Sequence, residues 1–130
     1  LFTRKMSATR LPLRKLFFSD DALDKPIDVN RAPYNRFGGT YEACRWAPSS
    51  YNGQTTRAAV ETNDIGEVSE VRFFAATTSR YYAPVALGIW CANWELACQA
   101  LGQGGAFELA ADSRDVPPIH DVTWRPDPDA

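Results

Sequence analysis

The chain is poor in the residues that build metal, disulfide and acid–base sites. It has one histidine and three cysteines in 130 residues. Neither a Cys-x-x-Cys pair nor a His/Cys cluster offers metal-ligand spacing, which excludes a zinc or iron–sulfur centre of the usual kind. Cys91 and Cys98 fall on one stretch of helical pattern, about 10 Å apart along its axis, too far for a disulfide. With Cys44 they read as three buried thiols in a reducing, cytoplasmic compartment. Charge of one sign is also lacking. The 14 Lys and Arg nearly balance 16 Asp and Glu, for a net charge of −2. A nucleic acid is therefore not the expected partner, because phosphate neutralisation needs clustered cations. The first residues hold no continuous apolar run, so no secretory signal is expected. The most apolar stretch, residues 84–101, includes Asn93, Glu95 and Gln99 and is short for a bilayer. It reads as a buried helix, and no membrane partner is expected. No G-x-G-x-x-G fingerprint, internal repeat or low-complexity tract occurs. His120-Asp121 lacks a nucleophile elbow and reads as surface.

What the chain does have is a globular composition, 45% hydrophobic and 23% charged. That excludes a disordered segment and predicts one domain over residues 1–130. The N-terminal part carries Arg4, Lys5, Arg10, Arg14 and Lys15, a local phosphate site in prospect. The C-terminal part carries Asp127 and Asp129.

Periodicity predicts an α+β fold with a small mixed or antiparallel sheet packed by helices. Phe37, Tyr41 and Cys44 recur at helical spacing, so a helix is expected from a cap at Asp28 or Asn30 to Trp46, ended by Pro48. Residues 55–62 and 68–77 read as strands joined by the turn Asn63-Asp64-Ile65-Gly66. A long helix follows from near Pro84 and stops at Gly102. It has two apolar stripes, Val85, Ile89, Ala92 and Leu96 on one side and Leu87, Trp90, Trp94, Cys98 and Leu101 on the other. A helix apolar on two faces is buried on two faces, which predicts a homodimer. Residues 106–110 read as a third strand. Residues 116–124, with two prolines, read as an extended stretch over the surface. Asp20-Asp21 reads as a solvated turn.

The densest set of polar groups lies at the junction after the first helix: Ala47-Pro48-Ser49-Ser50-Tyr51-Asn52-Gly53-Gln54-Thr55-Thr56-Arg57. Hydroxyl, amide and guanidinium groups crowd one turn beside core-forming residues, as in a loop that holds a polar ligand. The same residues also suit an ordinary loop after a helix.

The segment Glu42-Ala43-Cys44-Arg45-Trp46-Ala47-Pro48-Ser49-Ser50-Tyr51-Asn52-Gly53-Gln54 resembles the nitroreductase signature, a helix ending in Ala-Pro-Ser-Ser-x-Asn-x-Gln. The family's usual Pro-Trp-Arg is here Thr55-Thr56-Arg57. The segment from Ala86 to Gly102 is similar to the family's central helix, with its Leu-Ala-x-x-x-Leu-Gly ending followed by glycine. Arg10-Leu11-Pro12-Leu13-Arg14-Lys15, with Asp24-Lys25-Pro26-Ile27, is similar to the family's opening motif. The resemblance implies FMN bound at the interface of an intertwined homodimer, with the central helix at that interface. It implies flavin contacts at Pro48, Ser49, Ser50, Asn52 and Gln54, phosphate contacts at Arg10 and Arg14, and a glycine turn, Gly104 and Gly105, at the flavin edge. It also implies an oxidoreductase that takes a hydride from NADH or NADPH and passes it to a small-molecule electron acceptor, a nitroaromatic or quinone. The flavin carries that chemistry, and no protein acid or base is demanded. The segment between the two main signatures is shorter than the family's, which implies a reduced lid. A flavin- or ligand-binding relative without catalysis, and a partner-binding module, are the other readings.

Overall fold

The computed structural model describes residues 9–49, 52–77, 81–110 and 116–128. The expectations placed on Arg4, Lys5, Ser50, Tyr51 and Asp129 fall outside these residues.

The chain is α+β. A five-stranded sheet runs in the order β1-β2-β3-β5-β4, from β1 (Phe17–Phe18), β2 (Thr56–Thr62), β3 (Val68–Ala75), β4 (Gly105–Leu109) and β5 (Ile119–Pro126). β1 is parallel to β2 and every other pair is antiparallel. Two helices, α1 (Gly38–Arg45) and α2 (Tyr82–Ala100), cover one face. The other face carries no helix among the described residues.

Alternation along the strands chooses the covered face. Ala58 and Val60 of β2, Val71 and Phe73 of β3, and Val122 and Trp124 of β5 all belong to one core with Tyr41, Cys44, Trp90 and Trp94. Trp94 is fully buried at its centre. Its ring lies 5.3 Å from Phe37, 5.8 Å from Phe73 and 5.5 Å from Trp124, in the edge-on and tilted arrangements that aromatic quadrupoles favour. Burial pushes the Tyr41 hydroxyl and the Cys44 thiol well above their ordinary values, and Cys98 up to about 11. Burial also pushes Cys91 up to about 12, with nearby Asp121 and Glu95 adding to the effect. All three cysteines are free, and Cys91 is only partly buried.

Two stretches differ from their periodicity. The first helix starts at Gly38, after a 3₁₀ turn over Tyr34–Phe37, and not at Asp28 or Asn30. Pro33 disfavours helix at Ala32, and Asp28 closes a local turn, its Oδ1 accepting from the Asn30 N–H at 3.0 Å. The second is residues 116–124, expected to cross the surface. They lead into β5, which sits between β3 and β4. The prolines fall before the strand and at its last residue, where no ladder bond is lost, and Val122 and Trp124 point into the core. A bulge in the β3–β5 pairing, with Phe73 opposite Val122 and Phe74 opposite His120, leaves Asp121 extra.

α2 has 19 residues. It ends in a Schellman motif: the Gln103 N–H reaches the Cys98 carbonyl at 2.8 Å, the Gly102 N–H reaches Gln99 at 3.0 Å, and Gly102 has φ +73. Leu87, Trp90, Trp94 and Cys98 are buried against the sheet. Leu101, grouped with them by spacing, is 52% exposed because the helix has ended. Val85 and Leu96 of the other stripe are 63% and 66% exposed. No described helix is long and apolar enough to cross a membrane.

Candidate functional site

The loop after α1 is shaped by side chains that fold back on the chain. Asn52 and Gln54 have φ +53 and +49, a left-handed conformation uncommon for residues other than glycine. Their amides hold the preceding N-terminal segment. Arg10 Nη1 donates to Asn52 Oδ1 at 2.8 Å, Asn52 Nδ2 donates to the Thr9 carbonyl at 2.6 Å, and the Leu11 N–H donates to Gln54 Oε1 at 2.7 Å. Within the loop, the Gln54 N–H donates to Ser49 Oγ at 3.0 Å. Arg45 Nε clamps the same segment through the Leu11 carbonyl at 2.9 Å. Arg10 and Arg45 also lie over the Trp46 ring, 5.5 and 5.0 Å from its centroid.

The structure therefore brings together Arg10, Asn52 and Gln54, residues more than forty positions apart. The Asn52 amide bonds Arg10 and Thr9, and the Gln54 side chain bonds Leu11 and Thr9, so both amides are turned to the N-terminal segment.

A groove of about 430 Å³ opens beside the loop, between Pro48 and Ser49 on one side and Tyr81 with Tyr82, Val85 and Ile89 of α2 on the other. That volume is in the range of small-molecule sites, and the walls are apolar and aromatic. The start of α2, and with it the positive end of the helix dipole, lies at one end of the groove. Behind Ser49 is a cavity of about 10 Å³, lined in part by Thr55, Thr56 and Ala86. Thr56 is 1% exposed, and the Thr55 and Thr56 hydroxyls are buried without a hydrogen-bond partner. Ser49 and Ala86 line both spaces. Ser49 is the polar side chain on the groove wall, while the threonine hydroxyls face the small cavity behind it.

The other sites expected from the sequence lie apart. Ser50 is outside the described residues. Arg14 stands exposed on the 3₁₀ turn Leu13–Lys15. Gly104 and Gly105 follow the far end of α2, roughly 17 Å along the helix from Ile89 at the groove within one chain. Gly105 has a packing reason of its own: a Cβ there would run into the Trp124 ring. His120 is partly buried and not on the open surface. Its ring lies 5.2 Å from Phe74 and its Nε2 is 2.7 Å from Thr123 Oγ1. No group of three metal-ligating side chains occurs among the described residues.

Sequence reasoning missed the groove walls Tyr81, Tyr82 and Ile89. The available signal was a pair of tyrosines at the start of a helix whose outer stripe is apolar. Comparison with protein-family models, with curated proteins and with solved structures finds no match to this chain.

Proposed function

We propose that this chain is a flavin-binding oxidoreductase of nitroreductase type, with the ring of FMN in the groove between Pro48-Ser49 and the first turns of α2. The observation that carries the reading is the groove itself: two tyrosines and aliphatic side chains facing a loop of the Ala-Pro-Ser-Ser-x-Asn-x-Gln type. Bound there, FMN would supply the hydride transfer between NADH or NADPH and a nitroaromatic, quinone or related acceptor. The chain's own part is positioning. Tyr81, Tyr82, Val85 and Ile89 exclude water from a planar ring. Ser49 offers a hydroxyl at its edge, and the dipole at the start of α2 favours negative charge. Asn52 and Gln54 act behind the site, fixing the loop to Thr9, Arg10 and Leu11. Arg10 is the nearest candidate for the phosphate, since Arg14 stands on a separate turn. Gly104 and Gly105 have a structural role in this reading, unless a second copy brings them to the groove. The three free thiols agree with a reducing, cytoplasmic setting.

The exposed stripe Val85, Ala92 and Leu96 supports a homodimer through α2. It equally supports the second reading, a partner-binding module without a flavin. Titration with FMN separates the two. Saturable quenching of flavin fluorescence, and bleaching of the bound flavin by NADH or NADPH, are the expected results. Binding without bleaching would leave a non-catalytic flavin protein. No binding would sink the flavin reading and leave the partner-binding one.

A further inference from the structure

On the sheet face opposite the helices, the described arginines are treated unequally. Arg72 is surrounded by carboxylates: Asp21 at 2.7 Å, Glu61 at 3.2 Å and Glu70 at 2.6 Å. Arg125 shares Glu70 and takes Glu108. Arg57 lies on the same face, since its neighbour Ala58 belongs to the core and strand side chains alternate. Among the described residues no carboxylate pairs with it. Its Nη1 donates to two backbone carbonyls, Gln54 at 2.5 Å and Thr56 at 2.8 Å. Nε and Nη2 make no hydrogen bond among the described residues, so three N–H donors in a planar fork are left over.

Arg57 is partly buried, and burial alone pulls it below the ordinary arginine value. A desolvated cation without a counter-ion is unfavourable, and proteins ordinarily pair such groups. The floor beside it is apolar and aromatic. Phe74 is its cross-strand partner, 1% exposed, and His120 is the partner of Phe74 on the next strand. That places His120 about 10 Å from Arg57 across the sheet.

We propose that Arg57 is an anion site that takes a carboxylate or phosphate oxyanion through its Nε–Nη2 edge. The planar fork matches either oxyanion in bidentate geometry. The site is on the opposite face from the groove and stands whether or not the chain binds flavin.

The test follows the Arg57 Nε–H resonance by NMR while inorganic phosphate or acetate is added at constant ionic strength, with chloride as the control. A saturable shift with phosphate, acetate or both is expected, with none from chloride, and the two titrations tell which oxyanion is preferred. Arg57→Lys keeps the charge and loses the fork, so its affinity, read from the amides of Phe74 and His120, is expected to fall at least about tenfold. No saturable shift in the unmodified protein, an equal shift with chloride, or unchanged affinity in Arg57→Lys would each overturn the proposal. The first two need no variant, so they decide the matter even if the substituted chain does not fold.

Discussion

Arg10 donates to the Asn52 side-chain carbonyl at 2.8 Å across 42 positions of sequence. The bond ties the N-terminal segment to the loop that walls the groove. Asn52 also has a left-handed backbone, at φ +53. One side chain thus fixes both the path of the loop and the place of a cation.

Asn52→Ala removes the bonds to Arg10 and to the Thr9 carbonyl and leaves a residue poorly suited to this backbone. A loss of about 1–3 kcal/mol in urea unfolding is expected. Asn52→Gly loses the same bonds but accepts the conformation, so it is expected to be the less damaged of the two.

Gly105→Ala drives a methyl group into the ring of buried Trp124. Overpacking of this kind costs about 1–3 kcal/mol, to be read as a lower Tm by calorimetry. An unchanged Tm would show that β4 shifts to accommodate the methyl.

The cysteines set an alkaline limit. Burial raises the folded thiols of Cys98 to about 11 and of Cys91 to about 12, from an ordinary value of 9.0. A group whose folded value is raised contributes its full stability below the unfolded value, and loses it as pH climbs to the folded one. Stability is therefore expected to hold up to about pH 9 and to decline above it. Replacing Cys98 by Ser would remove its share of the decline. Native thiols should also alkylate slowly at pH 8 relative to the urea-unfolded chain.

Val85 is 63% exposed on the groove wall. Val85→Arg is expected to leave the unfolding midpoint nearly unchanged and to weaken FMN binding at least about tenfold, roughly 1.4 kcal/mol. Equal affinity in fluorescence titration would place any flavin elsewhere.

Leu96, 66% exposed, lies farther along the same stripe. If α2 pairs with a second copy, Leu96→Glu puts charge into that contact, and sedimentation is expected to show a dimer turned into monomers. A protein that is monomeric before substitution would leave the stripe without this role.

Local pattern made much of the architecture legible. The strands around Val60 and Val71, the hairpin at Asn63–Gly66, the strand near Phe107 and the long helix closed by Gly102 follow from periodicity and turn chemistry, which act over a few residues. The polar loop was visible as a loop for the same reason. Other features depend on residues distant in sequence. Nothing local in residues 119–126 says that this strand enters the sheet between β3 and β4; that is decided by Val122 and Trp124 finding Phe73 and Trp94. Nothing in the loop says that Asn52 and Gln54 serve Thr9, Arg10 and Leu11 and so turn away from the groove. The sequence by itself determined the elements and the chemistry at their ends. The tertiary structure decided which of those polar groups remain available, because a hydrogen bond or ion pair is settled by whichever partner packing brings within reach. It paired Arg72 and Asn52, left the Nε–Nη2 edge of Arg57 without a hydrogen bond among the described residues, and left the threonine hydroxyls behind Ser49 unsatisfied.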